Sequence, residues 1–387
     1  MKQNDRAIYL DYQATTPVDR RIADRILQTM TTSFGNPSSI DHSYGDQAAK
    51  AVKRARKQIA HLVHAAPKDI IFTSGATESI NLAIQGHFRP SAGCPHPLIV
   101  SPVEHKAVLD TCRAIENQGL AEIQWLKVDR QARIDLDHLE DLCSEGAALL
   151  CLMAANNEVG NIYPLETIGE IVKQYSIPWF CDGSQAVGKI PIHFSDWGIT
   201  YLAISGHKLY APKGIGALVI RPRYSLYSLL HGGSQERELR PGTLNTPGIV
   251  GLGEACALRE QEMEEDETQI AQNRDRLQAM LTQHIPNLRI NGDLNHRLAG
   301  NLHISVPNIP NSAIIARIRH QLAISTGAAC ASGTPAPSHV LRAMQLPESE
   351  MDGAMRISLG KFTTETESDR AASILIDAIT QLNQLLT

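Results

Sequence analysis

The segment Tyr201-Leu202-Ala203-Ile204-Ser205-Gly206-His207-Lys208 places a lysine directly after an apolar run of strand length. A single lysine is ordinarily a surface residue with a partly buried stem, but the end of a buried strand is an unusual place for a solvated charge. Burial or a neighbouring cation lowers the pKa of a lysine amine and makes it a useful nucleophile and base. Lys208 is therefore the first candidate for a reactive residue.

Further apolar runs of strand length alternate with helical patterns through the first two thirds of the chain. These runs cover residues 70–73, 98–100, 148–153, 178–181, 201–205 and 214–220. Short apolar strands between helices are typical of a parallel or mostly parallel sheet that is buried on both faces. The sequence therefore predicts an α/β fold.

The character of the chain changes near residue 258. Residues 259–281 are rich in Glu, Gln, Asp and Arg and predict a long exposed helix that links two domains. Strand patterns at 301–306 and 355–359 and an amphipathic helix at 368–386 follow, which predicts a smaller α+β domain. We expect a large domain over 16–258 and a small domain built from 1–15 and 259–387.

Composition narrows the classes of function. The 387 residues are 43% hydrophobic and 20% charged with a net charge of -5, and no basic block could follow a nucleic-acid backbone. The N-terminus lacks a signal-peptide pattern and no apolar run approaches the ~20 residues of a membrane helix, so we expect a cytoplasmic protein with no membrane or direct nucleic-acid contact. Seven cysteines without a CxxC pair give no metal-site spacing, and most are expected to be core residues.

Two other segments are candidates for ligand contacts. Thr73-Ser74-Gly75-Ala76-Thr77-Glu78 joins a strand to a helix through small residues, which suits either a phosphate site or an ordinary capped helix start. Asp182 ends the apolar run 178–181 and could pair with a pyridinium nitrogen, although a helix cap explains it equally well. A phosphate turn, an aspartate and a later lysine occur in the order expected of pyridoxal-phosphate enzymes with the aspartate aminotransferase fold.

Several longer motifs make this resemblance specific. Segments 9–17 (YLDYQATTP), 34–38 (FGNPS), 104–106 (EHK), 156–160 (NNEVG) and 205–208 (SGHK) resemble the cysteine desulfurases of iron–sulfur cluster assembly and nitrogen fixation. The match runs nearly from end to end. It implies a mostly parallel seven-stranded sheet flanked by helices, and it implies pyridoxal 5'-phosphate as the cofactor.

The resemblance also implies roles for individual residues. Lys208 would bind the cofactor as a Schiff base, Asp182 would pair with the pyridine nitrogen, Gln185 would bond the ring hydroxyl, and His105 would stack on the ring and take part in proton transfer. The phosphate would be held by Ala76, Thr77, Ser205 and His207, with Thr243 of the neighbouring subunit, which implies a homodimer. The substrate would be oriented by Asn157 and Arg356, assisted by Asn36.

Cys330 differs from the other cysteines. It lies in residues 325–337, where small residues and prolines dominate, so we expect a loop with an accessible thiol. Exposed thiols in a reducing compartment usually have a function. The resemblance implies that Cys330 takes sulfur from L-cysteine as a persulfide and passes it to acceptor proteins, such as a cluster scaffold or a tRNA- or DNA-thiolation protein, while L-alanine is released.

Three alternatives share parts of this pattern. An aminotransferase or another lyase of the same fold would use Lys208 and Asp182 but has no need for Cys330. A selenocysteine lyase would use nearly the same residues. A non-enzymatic sulfur-relay scaffold would retain the fold without releasing alanine.

Overall fold

The computed structural model describes residues 7–88, 95–326 and 338–386. The helices in this part of the chain are α1 (Arg20–Thr31), α2 (Ser43–Leu62), α3 (Ala76–His87), α4 (Lys106–Asn117), α5 (Leu136–Glu145), α6 (Leu165–Gln174), α7 (Thr246–His284), α8 (Asn311–Ile318), α9 (His339–Ala343), α10 (Glu348–Asp352) and α11 (Glu365–Leu386). The strands are β1 (Ile8–Tyr9), β2 (Ile70–Thr73), β3 (His96–Val100), β4 (Ala121–Trp125), β5 (Leu149–Cys151), β6 (Trp179–Asp182), β7 (Tyr201–Ser205), β8 (Gly216–Ile220), β9 (Arg289–Ile290), β10 (Asn301–Ser305), β11 (Leu322–Ala323) and β12 (Ala354–Ser358).

A seven-stranded sheet in the order β2-β8-β7-β6-β5-β3-β4 forms the centre of the fold. Strand β8 is antiparallel to both of its neighbours, and the pairs from β7 to β4 are parallel. Every residue of β2, β5, β6, β7 and β8 is buried, because helices cover both faces of the sheet. The predicted α/β fold with a mostly parallel seven-stranded sheet is confirmed.

The rest of the chain forms two smaller sheets. Strands β9, β10 and β12 form an antiparallel sheet with β10 in the middle, and β1 pairs with β11 in parallel. A separate hydrophobic cluster surrounds these strands and draws residues from both ends of the chain, including Ile8, Leu277 and Leu375. We propose that 1–15 with 259–387 forms a small domain and 16–258 a large one, and this separate cluster supports the division.

Helix α7 corrects one expectation. The predicted helix at 259–281 lies inside α7, which begins earlier, at Thr246, behind an Asn245 cap. The helix is not exposed throughout, since Arg259 is only 1% exposed. Its guanidinium group forms ion pairs with Asp266 and Glu267 and donates to the carbonyl of Gly188. Arg259 can be buried because two carboxylates of its own helix balance its charge and the Gly188 carbonyl accepts a hydrogen bond from it.

Candidate active site

One pocket lies at the ends of the parallel strands, where open α/β sheets bind their ligands. It has a volume of about 690 Å³. The predicted site residues that line it are Ala76, Thr77, His105, Asn157, Asp182, Gln185, Ser205, His207, Lys208 and Arg356. The fold therefore brings together side chains that are far apart in the sequence.

The phosphate turn opens into this pocket between β2 and α3. Gly75 caps helix α3, so no side chain accepts from the first-turn N–H groups. The Thr73 hydroxyl contacts Ser79 and the Gly75 carbonyl instead, which argues against an ordinary Ser/Thr-capped start. An uncapped helix N-terminus facing a pocket presents N–H donors and a positive dipole end, and this suits a phosphate group.

Lys208 follows β7 in a short 3-10 turn and reaches the opposite wall of the pocket. Its Nζ donates to the carbonyl of Gln13 and, at 2.8 Å, to that of Ala14. Burial, with the positive charges of Lys189 and Arg356, lowers the pKa of Lys208 to about 7. An amine with this pKa is partly unprotonated near neutral pH and can act as a nucleophile and base.

Asp182 is the last residue of β6 and is buried. Its Oδ1 accepts from the backbone N–H of Ser184 at 2.9 Å, so the carboxylate closes a local turn and also lines the pocket. The Ser184 hydroxyl beside it has no hydrogen-bond partner among the described residues. A buried hydroxyl without a partner next to a carboxylate fits a pocket that receives a polar ligand.

His105 caps helix α4, and its Nδ1 accepts from the N–H of Ala107 at 3.1 Å. The proton of the neutral ring therefore lies on Nε2. Desolvation by the pocket wall lowers the pKa of His105 despite the opposing charge of Asp182. A mostly neutral imidazole is suited to exchanging protons at neutral pH.

Glu104 lies directly behind His105 and is fully buried. Its Oε1 accepts from the N–H of Met153 at 2.6 Å, and its Oε2 has no partner within the described segments. Burial and the charge of Asp182 raise its pKa well above the usual range. These surroundings favour the protonated form of Glu104.

Arg356, in the middle of β12, forms the wall opposite the large sheet. Its Nη2 pairs with Asp11 at 2.8 Å and its Nη1 donates to the Asn157 carbonyl at 2.8 Å. Its backbone exchanges two hydrogen bonds with Ser325, immediately before the segment that contains Cys330. The Arg356 Nε has no partner among the described residues. This planar group can bind a carboxylate through two parallel hydrogen bonds.

The fold does not bring two of the predicted residues to this pocket within one chain. Asn36 and Thr243 lie together in a separate groove of about 290 Å³. Cys330 lies outside the described residues. The cysteines at 112, 143, 151, 181 and 256 are all buried, which confirms their prediction as core residues. Burial raises the pKa of the Cys143 thiol to about 11, so such thiols are unreactive.

Several residues of the site were not singled out from the sequence. Asp11 and Gln13 fall in the motif 9–17, but only the fold reveals that they contact Arg356 and Lys208. Glu158 falls in the motif 156–160 and accepts from the Ser338 hydroxyl at 2.5 Å. Nothing in the sequence around Lys189 indicates that it belongs to the site. Motif membership was the only sequence signal that could have indicated the first three.

A strand-end pocket with a lysine, an aspartate and an uncapped helix end defines the class of aspartate aminotransferase-like folds. Within that class, the chain belongs to the aminotransferase class-V family, whose pattern matches residues 8–370. Enzymes of this family depend on pyridoxal phosphate. Among the described helices, none combines the length and apolar character needed to cross a bilayer.

Individual relatives within this family show which kind of enzyme the chain resembles. The chain is 44% identical to a protein named cysteine desulfurase IscS from Shewanella loihica, over 98% of this chain and 94% of the relative. A solved NifS-like protein superposes with a TM-score of 0.90 at 34% identity, covering 97% of this chain and all of the other. A structure titled SspA in complex with cysteine superposes with a TM-score of 0.81 at 33% identity, covering 92% and 100%. The predicted resemblance to cysteine desulfurases is confirmed.

Proposed function

We propose that this chain is a pyridoxal-phosphate-dependent cysteine desulfurase that converts L-cysteine to L-alanine and keeps the sulfur as a persulfide on Cys330. The observation that carries the proposal is a single pocket in which Lys208 faces a buried arginine. The amine can accept a proton, and the arginine can bind an amino-acid carboxylate. The full-length likeness to relatives named cysteine desulfurases supports the choice of reaction.

The pocket fits the cofactor in size and in chemistry. Ala76 and Thr77 at the start of α3, with Ser205 and His207 from β7 and its turn, would hold the phosphate. Burial and the charge of Lys208 lower the pKa of His207 to about 4, so its ring is a neutral hydrogen-bonding group. Asp182 would pair with the pyridine nitrogen. The bound cofactor would supply an electron sink for the electrons of the substrate Cα–H bond.

The substrate is held by its carboxylate. We propose that Arg356 binds both carboxylate oxygens, with the side chain of Asn157 alongside in the same pocket. Bidentate binding fixes the direction of the remaining bonds of the amino acid. The substrate Cα–H then faces the wall that carries Lys208.

Proton transfer is assigned to two groups. Lys208 accepts the Cα proton, because its pKa of about 7 leaves much of the amine unprotonated at neutral pH. His105 exchanges a proton through Nε2, since Nδ1 is occupied by the Ala107 N–H. We infer that the Nε2–H group of His105 donates a hydrogen bond to the Cys330 thiolate and stabilises it.

The sulfur step uses the thiolate of Cys330. It attacks the substrate sulfur, an S–S bond forms, and the Cβ–S bond breaks with its electron pair remaining on the substrate carbon. The proton released by the Cys330 thiol protonates that carbon, and Lys208 returns its proton to Cα, which completes L-alanine. One cysteine and one Cys330 thiol are thereby converted into one alanine and one Cys330 persulfide, with no outside oxidant or reductant.

Assembly and partners follow from the same proposal. We propose a cytoplasmic homodimer in which Thr243 contacts the phosphate across the interface. The place of Thr243 in a groove away from its own pocket supports this assignment. The persulfide would pass to an acceptor protein such as a cluster scaffold or a tRNA- or DNA-thiolation protein.

The test is a single-turnover assay on the purified protein. We expect a visible absorbance band from lysine-bound cofactor that changes on adding L-cysteine, with equal amounts of alanine and enzyme persulfide. Cys330→Ser keeps the band and abolishes the persulfide, whereas Cys143→Ala, a core cysteine, keeps both.

Other outcomes contradict the proposal in different ways. A colourless protein that cannot be reconstituted overturns the cofactor assignment. Keto acid in place of alanine would indicate an aminotransferase, and a strong preference for selenocysteine would indicate a selenocysteine lyase. Colour without alanine release would indicate a relay scaffold.

A further inference from the structure

A second lysine lies directly behind the pocket. Lys189 does not line the main pocket, but its Nζ donates to the Gln185 Oε1 at 3.0 Å. It borders a small adjoining cavity of about 20 Å³, together with Gln13 and Glu267. A cavity of this size holds about one water molecule.

A chain of hydrogen bonds joins the two lysines. The Gln185 Nε2 donates to the Gln13 carbonyl at 2.9 Å, and the same carbonyl accepts from the Lys208 Nζ. A lysine ammonium group can only donate and a backbone carbonyl can only accept. The Gln185 amide therefore has one orientation, with its oxygen towards Lys189 and its N–H group towards the wall that carries Lys208.

The positive groups around Lys208 lower the pKa of its amine, and the carboxylates around it raise that pKa. Lys208 is faced by the positive groups Lys189 and Arg356 and by the carboxylates Asp11 and Asp182, with His105 and His207 nearby. Lys189 is among the largest influences that lower the pKa of Lys208, second only to burial.

The surroundings of Lys189 keep it available as a cation. Helix α7 presents Glu267 and Arg259 to it, and Arg356 adds a repulsive charge. Glu267 pairs with Arg259 at 2.8 Å, so the carboxylate is shared and does not neutralise Lys189 alone. Burial lowers the pKa of Lys189 to about 8, which leaves it mostly charged at neutral pH.

We propose, on the basis of the proposed function, that Lys189 is a positioning residue for the reaction. Its ammonium group fixes the orientation of the Gln185 amide, and its charge behind the Gln13 carbonyl favours the uncharged amine of Lys208. Gln185 is expected to contact the cofactor ring, so Lys189 acts on both the ring and the base without touching either.

Three substitutions of Lys189 distinguish the effect of its charge from the effect of its hydrogen bond to Gln185. Lys189→Arg keeps the charge and the donor, Lys189→Gln keeps a donor without the charge, and Lys189→Met loses both at similar volume. The holoenzymes are titrated with pH while the absorbance band of lysine-bound cofactor is followed, which reports protonation of the Lys208 nitrogen in its bond to the cofactor. The exposed Lys57→Met is the control. Circular dichroism establishes that each variant is folded.

The expected result is a shift of the titration midpoint. Without the charge, Lys189→Gln and Lys189→Met raise the midpoint by roughly one unit, a tenfold change in the unprotonated fraction. Lys189→Arg and Lys57→Met keep the wild-type midpoint. Lys189→Met alone also shifts the wavelength of the band, because Gln185 is released.

Two outcomes overturn the inference. If Lys189→Gln titrates as the wild type does, the charge of Lys189 has no effect on Lys208, although a coloured wild-type enzyme leaves the proposed function intact. A wild-type protein with no cofactor band would overturn the proposed function and the inference together. Should Lys189→Met fail to fold, the pair Lys189→Gln and Lys189→Arg still decides the role of the charge.

Discussion

Lys208 and Arg356 are two cations that face one pocket from two different sheets. Lys208 follows β7 of the large sheet, where burial and neighbouring positive charges lower the pKa of its amine to about 7. Arg356 belongs to β12 of the small sheet, where Asp11 and the Asn157 carbonyl hold its guanidinium group. One pocket therefore has a titratable amine on one wall and a guanidinium group on the other.

The difference comes from the side chains as much as from their neighbours. A lysine ammonium group is a point charge that loses its proton readily when buried, whereas a guanidinium group stays charged and presents a planar fork of donors. Lysine on the cofactor wall and arginine on the substrate wall thus suit proton transfer and carboxylate binding. Exchanging or removing either cation tests this division of roles.

The largest effect is expected from Lys208→Ala. Loss of the amine removes both the covalent attachment of the cofactor and the base, so we expect the absorbance band of lysine-bound cofactor to disappear and kcat to fall by at least about 10³-fold. Absorbance spectra and alanine release measure the two effects. The exposed Lys57→Ala serves as the matched control, and residual turnover within tenfold of the wild type would contradict the role of Lys208.

A smaller and more selective effect is expected from Arg356→Lys. Lysine keeps the positive charge but loses the bidentate geometry. This costs about 1.5–3 kcal/mol of carboxylate binding and raises KM for cysteine about 10- to 150-fold. The cofactor band should remain, because Lys208 is untouched. The exposed Arg342→Lys is the control. A fall in kcat with unchanged KM would show that Arg356 acts in another step.

The sequence predicts the residues at the ends of the large-sheet strands better than it predicts the contacts of Arg356. Lys208 and Asp182 were predictable because each follows an apolar strand, and strand ends of a parallel sheet meet at one edge. The ion pair of Asp11 with Arg356 joins the two ends of the chain, and nothing local in either segment indicates it. Lys189 and the buried Arg259 were missed for the same reason, since their partners are set by tertiary packing.

Glu158 links the substrate wall to the chain that follows the Cys330 segment. Its Oε2 accepts from the Ser338 hydroxyl at 2.5 Å, and burial raises its pKa to about 7. Between the usual pKa of a glutamic acid and about 7, the folded chain keeps a proton that the unfolded chain has released. The free energy of unfolding therefore falls as pH rises through this window.

Glu158→Gln should remove that pH dependence while keeping an oxygen acceptor for Ser338. We expect the variant to be more stable than the wild type at pH 8 by about 3 kcal/mol and to differ little at pH 4.5. Urea denaturation of the holoenzyme at both pH values measures this, with the exposed Glu145→Gln as the control. Equal slopes of stability against pH in variant and wild type would mean that Glu158 is already ionised in the folded chain.

The smallest effect is expected from Asp11→Asn, which changes the surroundings of Arg356 and of Lys208 together. The carboxylate of Asp11 occupies Arg356 and raises the pKa of Lys208. Asparagine keeps the acceptor oxygen but not the charge, so Arg356 becomes more available to the substrate and the pKa of Lys208 falls. A partly exposed ion pair is worth about 1 kcal/mol, which corresponds to a roughly fivefold lower KM for cysteine with little change in kcat. The acid limb of the pH profile should move to lower pH, because the Lys208 amine loses its proton earlier. A higher KM would instead mean that the Asp11 charge orients Arg356 for the substrate, and the two cations would then depend on one carboxylate in opposite ways.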